Sequence, residues 1–585
     1  MEGRKAERIC DWFSFNRTGT GMYLFVSINP IAISPSALHA WLWIKSMPRK
    51  SLQKGSRIMS NIDAKSNNAN KNASKSVLSA ASTVGSWTML SRVLGFIRDI
   101  ILARILGAGP LADAFFVAFK LPNFFRRMFA EGTLTVALVP VLADEREKGE
   151  EAEHAYLNAL ATLLLSVLLL FTVAGIIFMP WLLLGFAPGF HDEPDRWHYA
   201  LKLARWMFPY LMFISLAAMA WAVLNAHKKF SLAAASPALL NIAIIFAAIV
   251  LAPSFSNPGE ALAIGVVLGG ALQLGIQFPA LKRIGWIPKL SFKFNHPAIK
   301  KTLKLFGPAL LGVSAIQLNI LVGTILATLL PAGSVSYLYY ADRIVQLPLA
   351  LFGIAMGTAL LPALSEHLAA GRTDDAKNDL RSGLAWLTWI TLPAVAGIFM
   401  LAEPIIATLF EHGEFTHQAT VATANALKAY GVGLVAFCWV RVLSTACYAG
   451  KDARSPMNFA IVGVVANIIL SIILMQSLAH IGLALATSLA AFINVGLLIW
   501  HLRKERGAIF DKYSGLRMLR AGLACLPMLA FLIGLTHFWA FPATDKLMQA
   551  LWLGASIAGA IIIFFGAAIL MGEKSLLKQR GTNAA

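Results

Sequence analysis

Charged residues are scarce in this 585-residue chain: they make up 14% of it, whereas a soluble protein carries about a quarter. This shortage excludes a water-soluble globular enzyme. Hydrophobic residues take their place, at 57% of the chain, and the mean hydropathy is +0.66. Apolar runs of about 20 residues recur from Val77 onward, and each is long enough to cross a hydrocarbon core as a helix. The sequence therefore predicts an all-α polytopic membrane protein.

Cysteines and catalytic motifs are also sparse. Cys10, Cys438, Cys447 and Cys525 show no CxxC or Cys/His spacing, which excludes a disulfide framework and a zinc site. The chain has no Walker A motif, no HExxH and no GxSxG, and no extramembrane stretch that would hold a nucleotide-binding domain. We therefore expect neither an enzyme nor an ATP-driven pump, and no cofactor.

Histidines beside acids are the remaining candidates for a metal site. His191, His412 and His417 lie in predicted external loops near acids such as Asp192 and Glu414. A solvated loop explains this pattern better than a metal centre, because isolated His/acid neighbours lack the spacing of a ligand set. We expect no bound metal.

Fourteen apolar segments qualify as candidate membrane spans. They comprise 77–106, 111–142, 156–186, 199–226, 232–251, 259–281, 302–330, 334–365, 381–409, 419–449, 457–477, 480–501, 518–537 and 547–571. The last two follow the other twelve as an appended pair.

Alternate connections between the spans differ sharply in charge. One side holds little beyond Arg196 and Lys546. The other side holds Lys228, Lys229, the run 282–304, Lys451, Arg454, the run 503–520 and the tail 574–580. Because cytoplasmic loops retain Lys and Arg, both termini are predicted to be cytoplasmic. This topology largely explains the net charge of +20, which suits anionic membrane lipids and requires no nucleic acid.

The first 75 residues differ from the rest. They are basic and include the polar stretch 67–75, NNANKNASK, which cannot be buried. Pro30 and Pro35 interrupt the apolar patch at 22–44, so a signal peptide is not favoured. We predict that residues 1–75 are a disordered extension or an overlong start, with Met59 as the alternative first residue.

An internal repeat recurs at an offset of about 222–226 residues. Ala226-His227-Lys228 after the fourth span returns as Ala449-Gly450-Lys451 after the tenth, and two further short matches share this offset. The repeat predicts two six-span halves, 76–285 and 286–505, here called the first and second half. The appended pair at 506–572 and a cytoplasmic tail at 573–585 follow them. Two facing repeats are typical of a transporter with a central cavity.

Ionisable residues inside the spans are concentrated in four of them. Eight are cations and four are acids: Arg92, Arg98, Arg104, Lys120, Arg126, Arg127, Arg343 and Arg441, with Asp99, Asp113, Glu131 and Asp342. A charge at mid-membrane is costly unless it is paired or faces water. The surplus of cations therefore indicates a wet cavity that takes an anionic ligand. The alternative is that some of these side chains reach the headgroups and anchor the helix.

Helical spacing places some of these residues on shared faces. Arg92 and Asp99 lie seven residues apart, as do Asp113 and Lys120, so each pair shares a helix face. Pro122 is expected to interrupt the second span, so periodicity leaves the choice between the adjacent arginines at 126 and 127 open.

Arginine dominates the cations, and this indicates the ligand. A guanidinium binds phosphate oxygens through two N–H groups and keeps its charge when partly desolvated. Phosphate or diphosphate is the expected ligand group. The four acids either hold the arginines in place or titrate and couple ligand release to protons or the membrane potential.

Two long segments closely resemble the MurJ (MviN) family of lipid II flippases. They are SRVLGFIRDIILARILGAGPLADAFFVAFKLPNFFRRMFAEGTLTVALVP at 91–140 and SVSYLYYADRIVQLPLALFGIAMGTALLP at 334–362. The resemblance extends from about residue 76 to the end of the chain.

This resemblance implies a MOP-superfamily fold of 14 helices and transport of lipid II across the bacterial inner membrane by alternating access. It implies substrate-binding roles for the arginines Arg92, Arg98, Arg126 and Arg343. It places Asp113, Glu131 and Asp342 in the same functional set, to which the residue analysis adds Asp99 and the cavity cations Lys120 and Arg441. The last two spans resemble the family's groove for the undecaprenyl tail. Cell-wall synthesis and division proteins are expected partners.

Three alternatives remain at this stage. A related exporter of the same superfamily would carry drugs or another polyprenyl-linked oligosaccharide, but cationic drugs favour an acidic cavity. A membrane glycosyltransferase would need catalytic acids in external loops, and these loops are short. A scaffold without transport would leave the buried charge unexplained.

Overall fold

The computed structural model describes residues 14–18, 21–25, 83–129, 133–229, 231–542 and 545–573. The chain divides into two units, Met1–Ser82 and Thr83–Ala585. In the first unit, strands β1 (Ser14–Thr18) and β2 (Gly21–Phe25) form an antiparallel hairpin in which Ser14 is opposite Phe25. Pairing was not expected in an extension predicted to be disordered. Phe15, Tyr23 and Phe25 are residue types that favour strands. The remainder of that prediction lies outside the described residues.

The regular secondary structure described in the second unit is entirely helical. In chain order its helices are α1 (83–106), α2 (Pro110–Phe129), α3 (Thr133–Glu147), α4 (Glu150–Ile177), α5 (Met179–Phe186), α6 (Pro194–Met207), α7 (Tyr210–Ala226), α8 (Ser231–Phe246), α9 (Pro258–Gly275), α10 (Phe278–Arg283), α11 (Pro297–Thr328), α12 (Ser334–Pro348), α13 (Ala355–Ala369), α14 (Thr373–Phe410), α15 (His417–Ala449), α16 (Arg454–Arg506), α17 (Lys512–Phe538) and α18 (Lys546–Leu570).

Each predicted span corresponds to one of these helices or to consecutive ones. The segment 111–142 comprises α2 and α3, and 334–365 comprises α12 and α13 with a π-helical turn, Leu349–Ile354, between them. The two spans 457–477 and 480–501 run through α16, which bends at Ala479 (φ 46°, ψ −129°). Contrary to expectation, α2 continues through Pro122. Ten helical stretches among the described residues, some of them formed by two consecutive helices, are long and apolar enough to cross a membrane, so the count of 14 stays a prediction.

Local capping determines several helix starts. Asn257 accepts a hydrogen bond from Gly259 N at the start of α9, where Pro258 suits the first helical position. Asp511 and Ser514 form a reciprocal capping box at the start of α17. These caps lie at polar interruptions between apolar runs, which is why the sequence located the helices well.

The turns after α7 and α15 have the same backbone geometry. Lys228 and Lys451 adopt left-handed conformations with φ of 60° and 62°. In each turn the next residue donates to a carbonyl five residues earlier, Lys229 to Leu224 at 2.8 Å and Asp452 to Cys447 at 3.1 Å. These are the two turns that the repeat matches, and their offset of 223 residues falls within the repeat offset.

The appended pair α17 and α18 packs on α14. Trp389 of α14 is 1% exposed and its ring lies 5.6 Å from that of Phe564 on α18. Trp552, fully buried, donates to the carbonyl of Trp539 at 2.9 Å. This small core is separate from the main core between the two halves.

Candidate functional site

Charged side chains of α1 and α12 meet between the two halves of the chain. Arg98 and Asp99 are buried, with 7% and 1% of their surface exposed. Arg98 bonds Asp99 Oδ1 through Nη2 at 2.7 Å and through Nε at 3.1 Å. Arg343 Nε lies 3.0 Å from the other carboxylate oxygen, Oδ2. One carboxylate therefore pairs with two guanidinium groups, one from each half.

Tyr339 joins all three charged groups. Its hydroxyl donates to Asp99 Oδ1 at 3.0 Å, and it accepts from Arg343 Nη2 at 2.8 Å and from Arg98 Nη2 at 3.2 Å. The ring stacks on Phe116 of α2, with 3.8 Å between the ring centroids. The phenol is thus held by both its ring and its hydroxyl, which places the two arginines relative to each other.

Asn241 of α8 supports this group from the first half. Its Oδ1 accepts from Arg98 Nη1 at 2.9 Å, and its Nδ2 donates to the carbonyl of Ser91 at 3.0 Å. We call Arg98, Asp99, Asn241, Tyr339 and Arg343 the arginine cluster. With two cations and one anion, the cluster has one formal positive charge in excess. It lies about 12 Å of helix rise from the end of α1, a position that the predicted span 77–106 would place inside the membrane.

Asp113 lies apart from the arginine cluster, at the helix ends predicted to face outside. Its side chain is completely buried. Oδ2 accepts from Gly333 N at 2.7 Å and from Arg196 Nη2 at 3.1 Å, and Oδ1 accepts from Ser336 N at 2.8 Å and from the Ser336 hydroxyl. We call these four residues the Asp113 cluster. Its carboxylate holds the start of α12, in the second half, against the first half.

Arg196 is almost completely buried, at 1% exposure. Its Nη1 donates to Glu193 at 2.7 Å and to the carbonyl of Leu330 at 3.2 Å, and its guanidinium lies 4.2 Å from the ring centroid of Phe190. Breaking a buried ion pair from one side strands the other charge at large cost. The structural role of Arg196 therefore depends on Asp113.

The same outer ends also make backbone contact. Glu414 N donates to the carbonyl of Arg104 at 3.0 Å, and the Tyr340 hydroxyl donates to the carbonyl of Gly107 at 3.2 Å. A Cβ at Gly107, where φ is +64°, would lie 2.4 Å from the Glu414 carbonyl oxygen, so the approach requires glycine. Together with the Asp113 cluster, these contacts join the two halves on the outer side.

The remaining predicted site residues do not join either cluster. Lys120 Nζ lies 3.4 Å from Thr324 Oγ1, and Arg126 donates to Asn123 at 3.1 Å. Asp342 accepts from Gln346, one helical turn later. Arg92 and Arg441 are exposed and have no ion-pair or hydrogen-bond partner for their side chains among the described residues. Glu131 lies outside the described residues.

Comparison with known proteins identifies the family. The family described as lipid II flippase MurJ matches residues 102–551. A Haemophilus influenzae protein named probable lipid II flippase MurJ is 36% identical over 504 residues, which cover 83% of this chain and 98% of that protein. The lipid II flippase MurJ of Burkholderia cenocepacia is 36% identical over 503 residues, covering 84% and 97%. The chain belongs to the MurJ family.

Solved structures agree with this assignment. A MurJ structure in an inward closed conformation matches with a TM-score of 0.72 and 27% identity, over 85% of this chain and 99% of that one. An inward-facing MATE transporter of the MOP superfamily matches with a TM-score of 0.59 and 15% identity, over 73% and 98%, which shows the fold alone. The predicted family and the all-α MOP-like fold are confirmed.

Three polar residues of this MurJ-family chain belong to the clusters but were not predicted from the sequence. Arg196 was assigned to an external loop, although Glu193 three residues earlier and the helix start at Pro194 were visible. Tyr339 lies one turn before Arg343, and that spacing was the signal for their contact. Asn241 is an amide inside an apolar span, which predicts a buried partner.

The MurJ-family chain also has a charged group on the face predicted to be cytoplasmic. His501 Nε2 lies 2.9 Å from Asp452 Oδ2 and 3.3 Å from Glu505 Oε1. Hydrogen bonds from Ser455 lower the pKa of Asp452 to about 2, so this carboxylate is ionised at neutral pH. These donor atoms lie within 4.8 Å of one another. Ion pairing accounts for the arrangement, which ties the turn after α15 to the end of α16.

Proposed function

We propose that this protein flips lipid II, the undecaprenyl-diphosphate-linked peptidoglycan precursor, from the cytoplasmic to the periplasmic leaflet. The observation that carries the proposal is the arginine cluster: two guanidinium groups from opposite halves share one buried carboxylate. Relatives of the same family, aligned over most of the chain, have lipid II flippase as their name.

The chemistry of the cluster suits a diphosphate. Two arginines present several N–H donors, and Asp99 with Tyr339 satisfies only part of them. A diphosphate that enters from the inner side supplies two or more negative charges, and it competes with Asp99 for both guanidinium groups. Arg92, Arg126, Lys120 and Arg441 extend the positive lining toward the inner side, while the undecaprenyl tail stays in lipid along α17 and α18.

Alternating access follows from where the two halves meet. The outer ends are joined through the Asp113 cluster and through the Arg104–Glu414 backbone bond, so the headgroup is released outward only when these contacts separate. Asp113 therefore acts as a gating residue, and Asp342 and Glu131 complete the set of acids. Loss of the Asp99–Arg343 pair on diphosphate binding removes one bond between the halves and favours that separation.

We propose that the protein is a non-enzymatic transporter of the bacterial inner membrane, with both termini in the cytoplasm. The membrane-spanning helices and the family membership establish an integral membrane protein. The basic connections on one side support the orientation. Proteins of cell-wall synthesis and division are the proposed partners.

The direct test is made in cells depleted of their own lipid II flippase. We expect the wild-type protein to restore periplasmic exposure of lipid II, measured by labelling at the outer surface, to at least half the level before depletion. If the wild-type protein inserts correctly into the membrane but does not restore lipid II exposure, lipid II is not its substrate. Another polyprenyl-linked anion, the second candidate, would then be the proposed substrate.

Tyr339→Phe tests the shared hydroxyl. The variant removes one donor and one acceptor from three charged partners while the stacking on Phe116 remains. Hydrogen bonds to charged groups contribute about 1.5–3 kcal/mol, so we expect lipid II exposure to fall about tenfold or more. Tyr448→Phe serves as the control, since its side chain is 50% exposed and belongs to neither cluster. Equal activity of both variants would show that the phenol has no positioning role.

The membrane potential should assist the return of the empty protein. An unliganded cavity with excess positive charge is drawn toward a negative cytoplasm by about 2.3 kcal/mol per charge per 100 mV. We therefore expect lipid II exposure to fall when an ionophore dissipates the potential at constant pH gradient. An unchanged rate would mean that the cavity charge does not move through the field.

A further inference from the structure

The connection between the two halves forms an ordered strap on the inner face. Residues 286–293 lie between α10 and α11 and have no helical structure. Trp286 Nε1 and Lys289 N both donate to Asn158 Oδ1, at 3.0 and 2.9 Å, and Ser291 N donates to Thr162 Oγ1 at 2.8 Å. The Trp286 side chain is buried, at 3% exposure. We call residues 286–294 the inner strap; it is fixed along the third and fourth turns of α4.

Apolar side chains of the inner strap point away from the protein. Leu290 and Phe292 are 69% and 70% exposed, and Ile287 and Phe294 are also exposed. The rings of Phe292 and Phe294 lie 5.9 Å apart and contact each other edge to face. Large apolar groups held rigidly outward indicate a contact surface, because free solvation would be unfavourable for them.

The depth of the strap can be derived from α4. About twenty helical residues cross the hydrocarbon core. The helix exposes apolar side chains up to Phe178, and Trp181 follows at 74% exposure, as expected of an outer aromatic belt. The residues twenty positions before Phe178 and Trp181 are 158 and 161, so the inner hydrocarbon boundary lies near residues 158–161. Asn158 and Thr162, the two residues that hold the strap, therefore lie at the headgroup level.

The positive charge of the inner strap is consistent with a position among lipid headgroups. The chain has no acidic residue between Glu260 and Asp342. The cations in and beside the strap are Lys282, Arg283, Lys289, Lys293, Lys300, Lys301 and Lys304. Lys301 pairs with Asp144 of α3, whereas Lys289 and Lys293 are exposed on the strap itself. Lysines interleaved with aromatic and aliphatic residues match an anionic lipid surface.

We propose that residues 287–294 form an interfacial anchor whose apolar side chains insert among the lipid headgroups of the inner leaflet and whose lysines bind anionic phospholipid. The site is separate from the arginine cluster and does not depend on the transported substrate. A lipid surface is favoured over a protein partner because the strap adjoins the lipid-facing side of α4 and lies at headgroup depth. The anchor fixes the connection between the halves to the leaflet while the outer contacts open and close.

A fluorescent label at position 292 tests insertion in the full-length protein. A Phe292→Cys variant in a Cys10→Ser background is labelled with bimane, since Cys438, Cys447 and Cys525 are buried. The matched control carries the label at Glu366, whose side chain is 77% exposed on the same face. In nanodiscs with brominated lipid we expect about threefold stronger quenching at 292 than at 366, and the reverse order with aqueous iodide. Equal quenching at both positions would overturn the anchor and leave a solvated or protein-binding loop.

A second experiment tests whether the strap requires anionic lipid. Nanodiscs of phosphatidylcholine are compared with nanodiscs that contain about one third phosphatidylglycerol. We expect brominated-lipid quenching at 292 to rise with the anionic lipid, and we expect this rise to disappear in the labelled Lys289→Gln/Lys293→Gln variant. The control is Arg372→Gln/Lys377→Gln, which removes two cations near the start of α14, away from the strap in sequence. This variant should retain the rise in quenching. Quenching that does not respond to lipid charge, or that responds equally in both double variants, would overturn the assignment of an anionic partner.

Discussion

Arg343→Ala should lower lipid II exposure at the periplasmic surface about 100-fold, because two contacts with charged or polar partners, each worth about 1.5–3 kcal/mol, are lost where the diphosphate would bind. The residue pairs with Asp99 at 3.0 Å and donates to Tyr339 at 2.8 Å. Folding should survive, since Asp99 keeps its bond to Arg98. The measurement is surface labelling of lipid II in flippase-depleted cells, at matched membrane levels.

Arg343→Lys separates charge from geometry. Lysine retains the positive charge but offers one nitrogen in place of a planar fork, so we expect an intermediate loss of about tenfold. Arg372→Ala is the matched control, because Arg372 is an exposed arginine between α13 and α14 whose partner, Glu366, is itself exposed. Full activity of Arg343→Ala would remove the arginine cluster from the transport mechanism.

Arg196→Ala should destabilise the folded protein by about 3–5 kcal/mol, the usual cost of stranding one member of a buried ion pair. Both members are nearly inaccessible, at 1% for Arg196 and 0% for Asp113. The expected result is a large fall in the thermal unfolding temperature of the purified protein in detergent, together with lower membrane levels. Arg205→Ala, near the other end of the same helix, is the control and should unfold like the wild type.

A paired variant separates folding from gating. In Asp113→Asn/Arg196→Met both charges are removed, so no buried charge is left unpaired and most of the stability should return. Transport should remain impaired, because an amide cannot accept from both backbone groups and Ser336 as the carboxylate does. If Arg196→Ala unfolds at the wild-type temperature, the Asp113–Arg196 ion pair does not contribute to the stability of the folded protein.

The fold was largely predictable because the apolar runs and their polar interruptions follow from membrane thickness and helix capping. Breaks within a span were not predictable. Pro122 should have interrupted α2, yet the helix continues through it, whereas the bend in α16 at Ala479 falls between the predicted spans 457–477 and 480–501. Tertiary packing decides such positions, and a single sequence does not contain that information in local form.

The candidate site was predictable in its composition but only partly in its grouping. Helical spacing placed Arg92 and Asp99 on one helix face, and in the structure Asp99 is buried against Arg98 and Arg343 while Arg92 is exposed. Likewise Asp113 was grouped with the cavity acids, although its partner is Arg196. Periodicity reports which residues share a face of one helix, whereas these partners come from other helices that meet only in the fold.

The Asp113 cluster has a consequence for biosynthesis. Its backbone donors Gly333 and Ser336 are encoded 220 and 223 residues after Asp113, whereas Arg196 follows after 83. At about 5–20 residues per second, the ribosome completes the α12 segment roughly 10–40 s after Asp113 has been made. During that interval Arg196 is the only charged partner of the cluster already synthesised. Both members of the buried ion pair are therefore present in the nascent first half before the backbone donors of α12 have been synthesised.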